Sequence, residues 1–66
     1  MDTMTSKELI GLLKSQGCVF VRHGKGDHQI WYSPVTGIKF TVPHPKRNLP
    51  RGTIHSIKRA SGINVG

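Results

Sequence analysis

Residues 18–42 read CVFVRHGKGDHQIWYSPVTGIKFTV, and this stretch decides the fold. Three short runs rich in β-branched and aromatic residues are separated by two turns of glycine, proline and polar residues, which is the pattern of strands joined by hairpins. We predict strands over residues 18–22, 28–33 and 38–42. Strands joined by such short turns pair with their neighbours in sequence, so the pattern predicts a three-stranded antiparallel meander.

A helix is predicted on the amino-terminal side of this sheet. Thr5 and Glu8 have the spacing of a capping box, in which each residue satisfies a free backbone amide of the first helical turn. Apolar residues at helical spacing follow, and Gly17 stands where a left-handed carboxyl-terminal cap belongs.

A second helix is predicted over residues 51–61, with Gly62 ending it. Its inward-facing residues are expected to be Ile54, Ile57 and Ala60. The element order is therefore α-β-β-β-α, an α+β fold with both helices on one face of the antiparallel sheet. We expect one domain spanning residues 1–66, because a chain this short builds only one thin core.

Side-chain alternation along the second strand places Ile30 and Trp31 on opposite faces of the sheet. If Ile30 shares the core face with Ile38 and Phe40, Trp31 faces solvent or a partner, where its indole could stack on a base. Trp31 is thus either a core residue or a stacking platform on the open face, and the alternation favours an exposed or partner-facing Trp31 with a buried Phe40.

The charge of the chain indicates a polyanionic partner. Ten lysines and arginines against three acidic residues give a formal net charge of +7. No stretch approaches the roughly 18 apolar residues of a membrane span, and the cations do not line one face of a long apolar helix. We expect a soluble cytoplasmic protein that binds nucleic acid and no membrane.

The composition also limits the chemistry. Cys18 is the only cysteine and lies in an apolar run, which favours packing over nucleophilic attack. His23 and His28 lack the further ligands of a zinc site. The acidic residues are Asp2, Glu8 and Asp27. They are too few and too scattered to hold the ions of a two-metal nuclease, so we expect no metal or other cofactor, and metal-independent chemistry if the protein is a nuclease.

His28 is the main candidate for catalysis. RNA supplies its own nucleophile, the 2′-hydroxyl, so cleavage needs groups that move protons and stabilise charge on the phosphate. His28 follows the turn at residues 24–26, whose glycines let backbone approach a phosphate, and Arg22 and Lys25 flank it. A plain hairpin turn followed by a strand-opening histidine has the same sequence, so the residues alone leave both interpretations open.

Other cations and histidines are weaker candidates. We expect RNA contacts from two side chains of the proline-bracketed loop, Lys46 and Arg47, and from the turn at Gly26, together with Arg22 and Lys25. A solvated basic surface accounts for part of this charge. His44 lies between two prolines and is expected to be solvated or turn-capping, and His55 to lie on the surface of the second helix.

One segment resembles a known signature. Residues 26–31, Gly-Asp-His-Gln-Ile-Trp, are similar to the Gly-Ser-His-x-aliphatic-aromatic motif of the HicA (YcfA-like) toxin family. The rest of the chain resembles that family in order and spacing at residues 6–10, Gly17, Arg22, residues 42–45, residues 52–57 and residues 62–63. The resemblance covers nearly the whole chain.

The resemblance implies a fold like that of double-stranded-RNA-binding domains and the activity of a ribosome-independent mRNA interferase in a type II toxin–antitoxin system. It implies a HicB antitoxin that blocks the catalytic histidine, and that histidine corresponds to His28. We expect a monomeric toxin that joins a larger complex with its antitoxin.

Asp27 departs from the family pattern, which usually has serine there. Its carboxylate either favours a protonated His28 by charge attraction or repels phosphate, and the sequence leaves both effects open. Two other functions fit the same fold and charge: a non-catalytic double-stranded-RNA-binding module, and a protein-interaction module whose basic face meets an acidic partner.

Overall fold

The computed structural model describes residues 4–63. Its elements are α1 (Ser6–Ser15), β1 (Val19–His23), β2 (His28–Ser33), β3 (Ile38–Pro43) and α2 (Arg51–Ser61). The strands form one antiparallel sheet in the order β1-β2-β3, so the predicted α+β fold is confirmed, with β1 displaced by one residue and β3 one residue longer. Neither helix in the described range is long and apolar enough to cross a membrane.

A single cluster of buried side chains joins both helices to one face of the sheet. Its members are Leu9, Leu13, Cys18, Trp31, Phe40, Val42, Leu49, Ile57 and Ile63. Ile54 and Ala60 pack against it in partly buried positions, as predicted for α2. Cys18 is a buried free thiol, which agrees with the expected packing role.

Trp31 belongs to this core, and the expectation that it would be exposed is wrong. Its side chain is only 2% exposed. The strand register explains the error, because Trp31 lies opposite Phe40 whereas Ile30 lies opposite Thr41. The core face of β2 therefore carries Trp31, and Ile30 lies on the face away from the helices. Ile38, at the start of β3, is 49% exposed.

The predicted capping box begins α1. The Glu8 amide donates to Thr5 Oγ1 at 3.1 Å, and the Thr5 amide donates to Glu8 Oε1 at 2.9 Å. At the other end the cap residue is Gln16, and Gly17 follows with φ 95°. The left-handed glycine lets the chain reverse directly into β1.

The end of α2 is fastened to the turn between β2 and β3. Gly62 caps the helix at φ 70° and donates its amide to the Lys58 carbonyl at 2.9 Å. The hydroxyls of Ser33 and Thr36 donate to the carbonyls of Ser61 and Ala60. Two carbonyls of the last helical turn thus find partners at the end of β2 and in the turn that follows it, which fixes α2 against the sheet.

A β-bulge interrupts the edge strand β1. Phe20 lies opposite Trp31 and Arg22 opposite Ile30, so Val21 is an extra residue without a partner of its own. Such a residue reverses the alternation of the side chains that follow it. The bulge therefore places Arg22 on the open face with Ile30, and His23 on the helix face opposite Gln29.

Candidate active site at one end of the sheet

Three of the four histidines meet at one end of the sheet. His23 ends β1, and His28 begins β2 opposite Pro43, the last residue of β3. His44 follows at once, and its amide donates to the Asp27 carbonyl at 2.7 Å. The antiparallel meander creates this cluster, because the end of one strand and the start of the next lie side by side.

The backbone of His28 is held by the turn that precedes it. The Gly24 amide donates to the His28 carbonyl at 2.8 Å, and the His28 amide donates to the Lys25 carbonyl at 3.3 Å. Gly26 has φ 65°, which favours glycine. The His28 side chain is exposed. It alternates with Gln29 and so lies on the open face with Ile30, where a substrate can reach the imidazole.

A side chain at Gly24 would be crowded. A Cβ atom there would lie 3.2 Å from Ile30 Cδ1 and 3.4 Å from His28 Cβ. The turn therefore passes tightly against the two side chains that lead onto the open face.

The four cations predicted to contact RNA are exposed and lie towards this end of the molecule. They are Arg22 in β1, Lys25 in the hairpin turn, and Lys46 and Arg47 in the loop before α2. Arg22 lies on the open face beside Ile30. The hydrogen bond between His44 and Asp27 brings the loop to the hairpin turn, so the structure places all the predicted RNA-contacting residues, including Gly26, around one end.

The described range contains two acidic residues, Glu8 and Asp27. Glu8 is engaged in the cap of α1 through Thr5. Asp27 lies in the turn next to His28 and is exposed. Among residues 4–63, no group of three or more histidine, cysteine or acidic side chains is arranged to hold a metal ion.

His44 is placed differently from the sequence-based expectation. It is half-buried, and its Nδ1 shares a 2.6 Å hydrogen bond with the hydroxyl of Ser6. The same hydroxyl accepts the Lys46 amide at 2.9 Å, and the Ser6 amide donates to the Lys46 carbonyl at 2.9 Å. His44 therefore helps to tie the basic loop to the start of α1. No local signal predicts this link, because its partners are 38 residues apart.

His55 behaves as expected and lies exposed on α2. His23, considered from sequence only as a metal ligand, faces the helix side of the sheet, where its ring packs edge-on against Phe20 at a centroid distance of 5.2 Å. The bulge at Val21 decides that position, and the alternation of the sequence alone predicts the opposite face.

Comparison with known proteins yields one match. A family model described as the HicA toxin of bacterial toxin–antitoxin systems matches residues 6–63. No curated protein and no solved structure matches the chain. The matched range runs from the first residue of α1 past the end of α2 and includes His28 with its turn.

Proposed function

Because this chain belongs to the HicA toxin family of bacterial toxin–antitoxin systems, we propose that it is a metal-independent mRNA endoribonuclease with His28 as its catalytic residue. The observation that carries the proposal is the position of His28. Its imidazole is exposed on the open face while its backbone is anchored by the glycine turn, and the exposed cations Arg22 and Lys25 flank it in the adjacent strand and turn.

The proposed reaction is attack of the RNA 2′-hydroxyl on the adjacent phosphorus. The P–O5′ bond breaks as the new P–O2′ bond forms, which leaves a 2′,3′-cyclic phosphate and a 5′-hydroxyl. His28 either accepts the 2′-hydroxyl proton or donates a proton to the leaving 5′-oxygen, and water serves the other end. One such acid or base contributes about 10²- to 10⁴-fold to the rate.

The flanking cations provide the second part of the mechanism. Arg22 shares the open face with His28, and Lys25 lies in the turn whose carbonyl binds the His28 amide. Both would stabilise the negative charge that grows on the phosphate oxygens during attack. Lys46, Arg47 and the backbone at Gly26 hold neighbouring phosphates, a role that needs charge and access but no exact geometry.

The proposed partner besides mRNA is a HicB antitoxin. A protein with acidic groups on its docking surface fits the basic end of this chain, and covering His28 there would block access to the scissile phosphate. We propose that the free toxin is monomeric and cytoplasmic, where mRNA is available, and that it enters a larger complex with the antitoxin.

The decisive experiment is cleavage of mRNA in excess EDTA by the wild-type protein, His28→Ala and His55→Ala. His55 is a matched control, because it is an exposed histidine on a different element, α2. We expect the wild type and His55→Ala to produce cyclic-phosphate ends and His28→Ala to bind RNA without cutting it. Cleavage by His28→Ala at the wild-type rate, or a strict need for metal, would contradict the proposal.

A further inference from the structure

A second concave surface lies at the same end of the sheet, on the helix side. It is a cleft of about 500 Å³ between α1 and the strands β1 and β2, a volume within the range of small-ligand sites. The side chains that carry its chemistry are Lys7, Lys14, Phe20, His23, Gln29 and His44. His28 does not line it, so this cleft is distinct from the site described above.

The charge of the cleft fits an anion. Lys7 and Lys14 are two helical turns apart on α1 and both line the cleft. Their ammonium groups form no hydrogen bond or ion pair within residues 4–63, and none of the side chains that line the cleft is acidic. Two cations without a partner among the described residues favour a ligand that brings its own negative charge.

An aromatic surface lies in the same cleft. Phe20 is 44% exposed although its ring packs edge-on against Trp31, at a centroid distance of 5.9 Å, and against His23. These two contacts hold the ring in place while leaving much of it accessible. A fixed and exposed aromatic ring beside lysines is the arrangement that proteins use to stack single-stranded bases.

Gln29 adds a donor of defined orientation. Its Oε1 accepts the Trp31 indole N–H at 3.0 Å, and this bond identifies which end of the amide is oxygen. The Gln29 amino group therefore keeps its donors for a ligand in the cleft. Donors of this kind pair with the ring-nitrogen and carbonyl acceptors of a base.

The edge of the sheet connects this cleft with the open face. β1 is an edge strand, and its bulge directs Arg22 to the face of His28 and the next residue, His23, into the cleft. A chain of phosphates that leaves His28 can pass around the end of β1 without leaving basic side chains. A single strand fits this path, because it bends more readily than a duplex.

We propose that the cleft binds one nucleotide of a single-stranded RNA substrate, next to the bond that is cut. The base stacks on Phe20 and accepts a hydrogen bond from Gln29, and Lys7 and Lys14 contact the flanking phosphates. This inference rests on the proposed function, since its ligand is the substrate of that reaction.

The test is binding of a single-stranded 2′-O-methyl oligoribonucleotide, which lacks the nucleophile and cannot be cut. Trp31, the only tryptophan, lines the cleft, and its fluorescence reports occupancy. We expect Phe20→Leu to weaken binding roughly fivefold or more, the lower end of a base-stacking contact. Lys7→Gln combined with Lys14→Gln should weaken binding and reduce the salt slope by about 1.4.

The matched control is Lys58→Gln combined with Arg59→Gln, which removes the same charge from exposed positions in the last turn of α2. We expect this control to bind within about twofold of wild type, and circular dichroism verifies that every variant folds.

If the cleft variants bind as tightly as the control, the inference is overturned, and their His28-dependent cleavage still supports the proposed function. Loss of antitoxin binding with unchanged oligonucleotide affinity also overturns it, because the cleft is then a protein-docking site. A wild type that neither binds nor cuts RNA overturns both.

Discussion

Backbone hydrogen bonds hold His28 in position, and its imidazole is exposed to solvent. Both hydrogen bonds that anchor it use its main-chain amide and carbonyl, which alanine also has. We therefore expect His28→Ala to change the free energy of unfolding by less than about 0.5 kcal/mol, as surface substitutions usually do. Urea denaturation of the two proteins measures this difference. A larger loss would assign the imidazole a structural role and weaken the case for catalysis.

Phe40 is a core residue, in contrast to the exposed His28. Its side chain is 8% exposed and lies opposite Trp31 in the core. Phe40→Ala should cost roughly 3 to 5 kcal/mol, the usual cost of truncating a buried phenylalanine, which is a large part of the stability of so small a domain. Thermal and urea unfolding measure the loss.

The control for this prediction lies two residues away in the same strand. Ile38→Ala truncates an apolar side chain that is 49% exposed, and it should cost clearly less than Phe40→Ala. Equal losses at the two positions would mean that the packing of β3 against the helices is not as described.

At the scale of elements, the attachment of α2 to the sheet depends on Gly62. A Cβ atom there would lie 2.9 Å from Thr36 Cγ2 and 3.1 Å from Val35 Cγ1, and the backbone has φ 70°. Gly62→Ala should therefore cost about 1–2 kcal/mol for the left-handed backbone and about 1–3 kcal/mol more for overpacking. The free energy of unfolding from urea titration measures the sum.

Gly37→Ala separates the two contributions. Gly37 has a similar φ of 71°, but a Cβ atom there would approach nothing closer than the Tyr32 hydroxyl at 4.0 Å. The free energy of unfolding of Gly37→Ala should therefore fall only by the cost of the left-handed backbone. If the two variants lose the same stability, the added methyl group at Gly62 meets no steric cost against the β2–β3 turn, and the close approach described here is wrong.

The bulge in β1 shows how one element serves both faces of the sheet. Without the extra residue at Val21, regular alternation would send Arg22 towards the helices and His23 to the open face. With it, the open face gains a cation near His28, and the cleft gains an aromatic pair of Phe20 and His23. An edge strand tolerates this irregularity because only one side of it is paired.

For the molecule as a whole, the net charge of +7 governs its attraction to RNA. If Arg22, Lys25, Lys46 and Arg47 each neutralise one phosphate, these four residues contribute about −2.8 to the slope of the logarithm of the affinity for single-stranded RNA against the logarithm of salt. The two cleft lysines, Lys7 and Lys14, would bring the slope to about −4.2. Between 50 and 200 mM salt the contribution of the first four residues alone lowers the affinity roughly 50-fold. Titration of a non-cleavable oligonucleotide across this range measures the slope. An affinity that does not change with salt concentration would contradict the electrostatic role of these cations. No binding of RNA at any salt concentration would favour a protein-interaction module.

The candidate site was predictable where its signals are local. His28, the glycine turn and the neighbouring cations are all contained in residues 22–28. The position of His44 was not predictable from local signals, because its partner Ser6 lies in the first turn of α1. The cleft was not predictable either, since it needs α1 to lie beside a bulged strand, and a bulge has no distinct signature in this run of apolar residues.

The sequence by itself determined the order of the elements, their caps and turns, and the exposed start of β2. These features depend on residues a few positions apart, such as Thr5 with Glu8, or the glycines around Lys25. Only the tertiary structure decided which face of the sheet each strand presents to the helices. Trp31 is buried because the register opposes it to Phe40, and a shift of one residue exchanges the two faces of a strand. The face that packs against the helices is the one whose burial, together with side chains from distant parts of the chain, gives the lowest free energy.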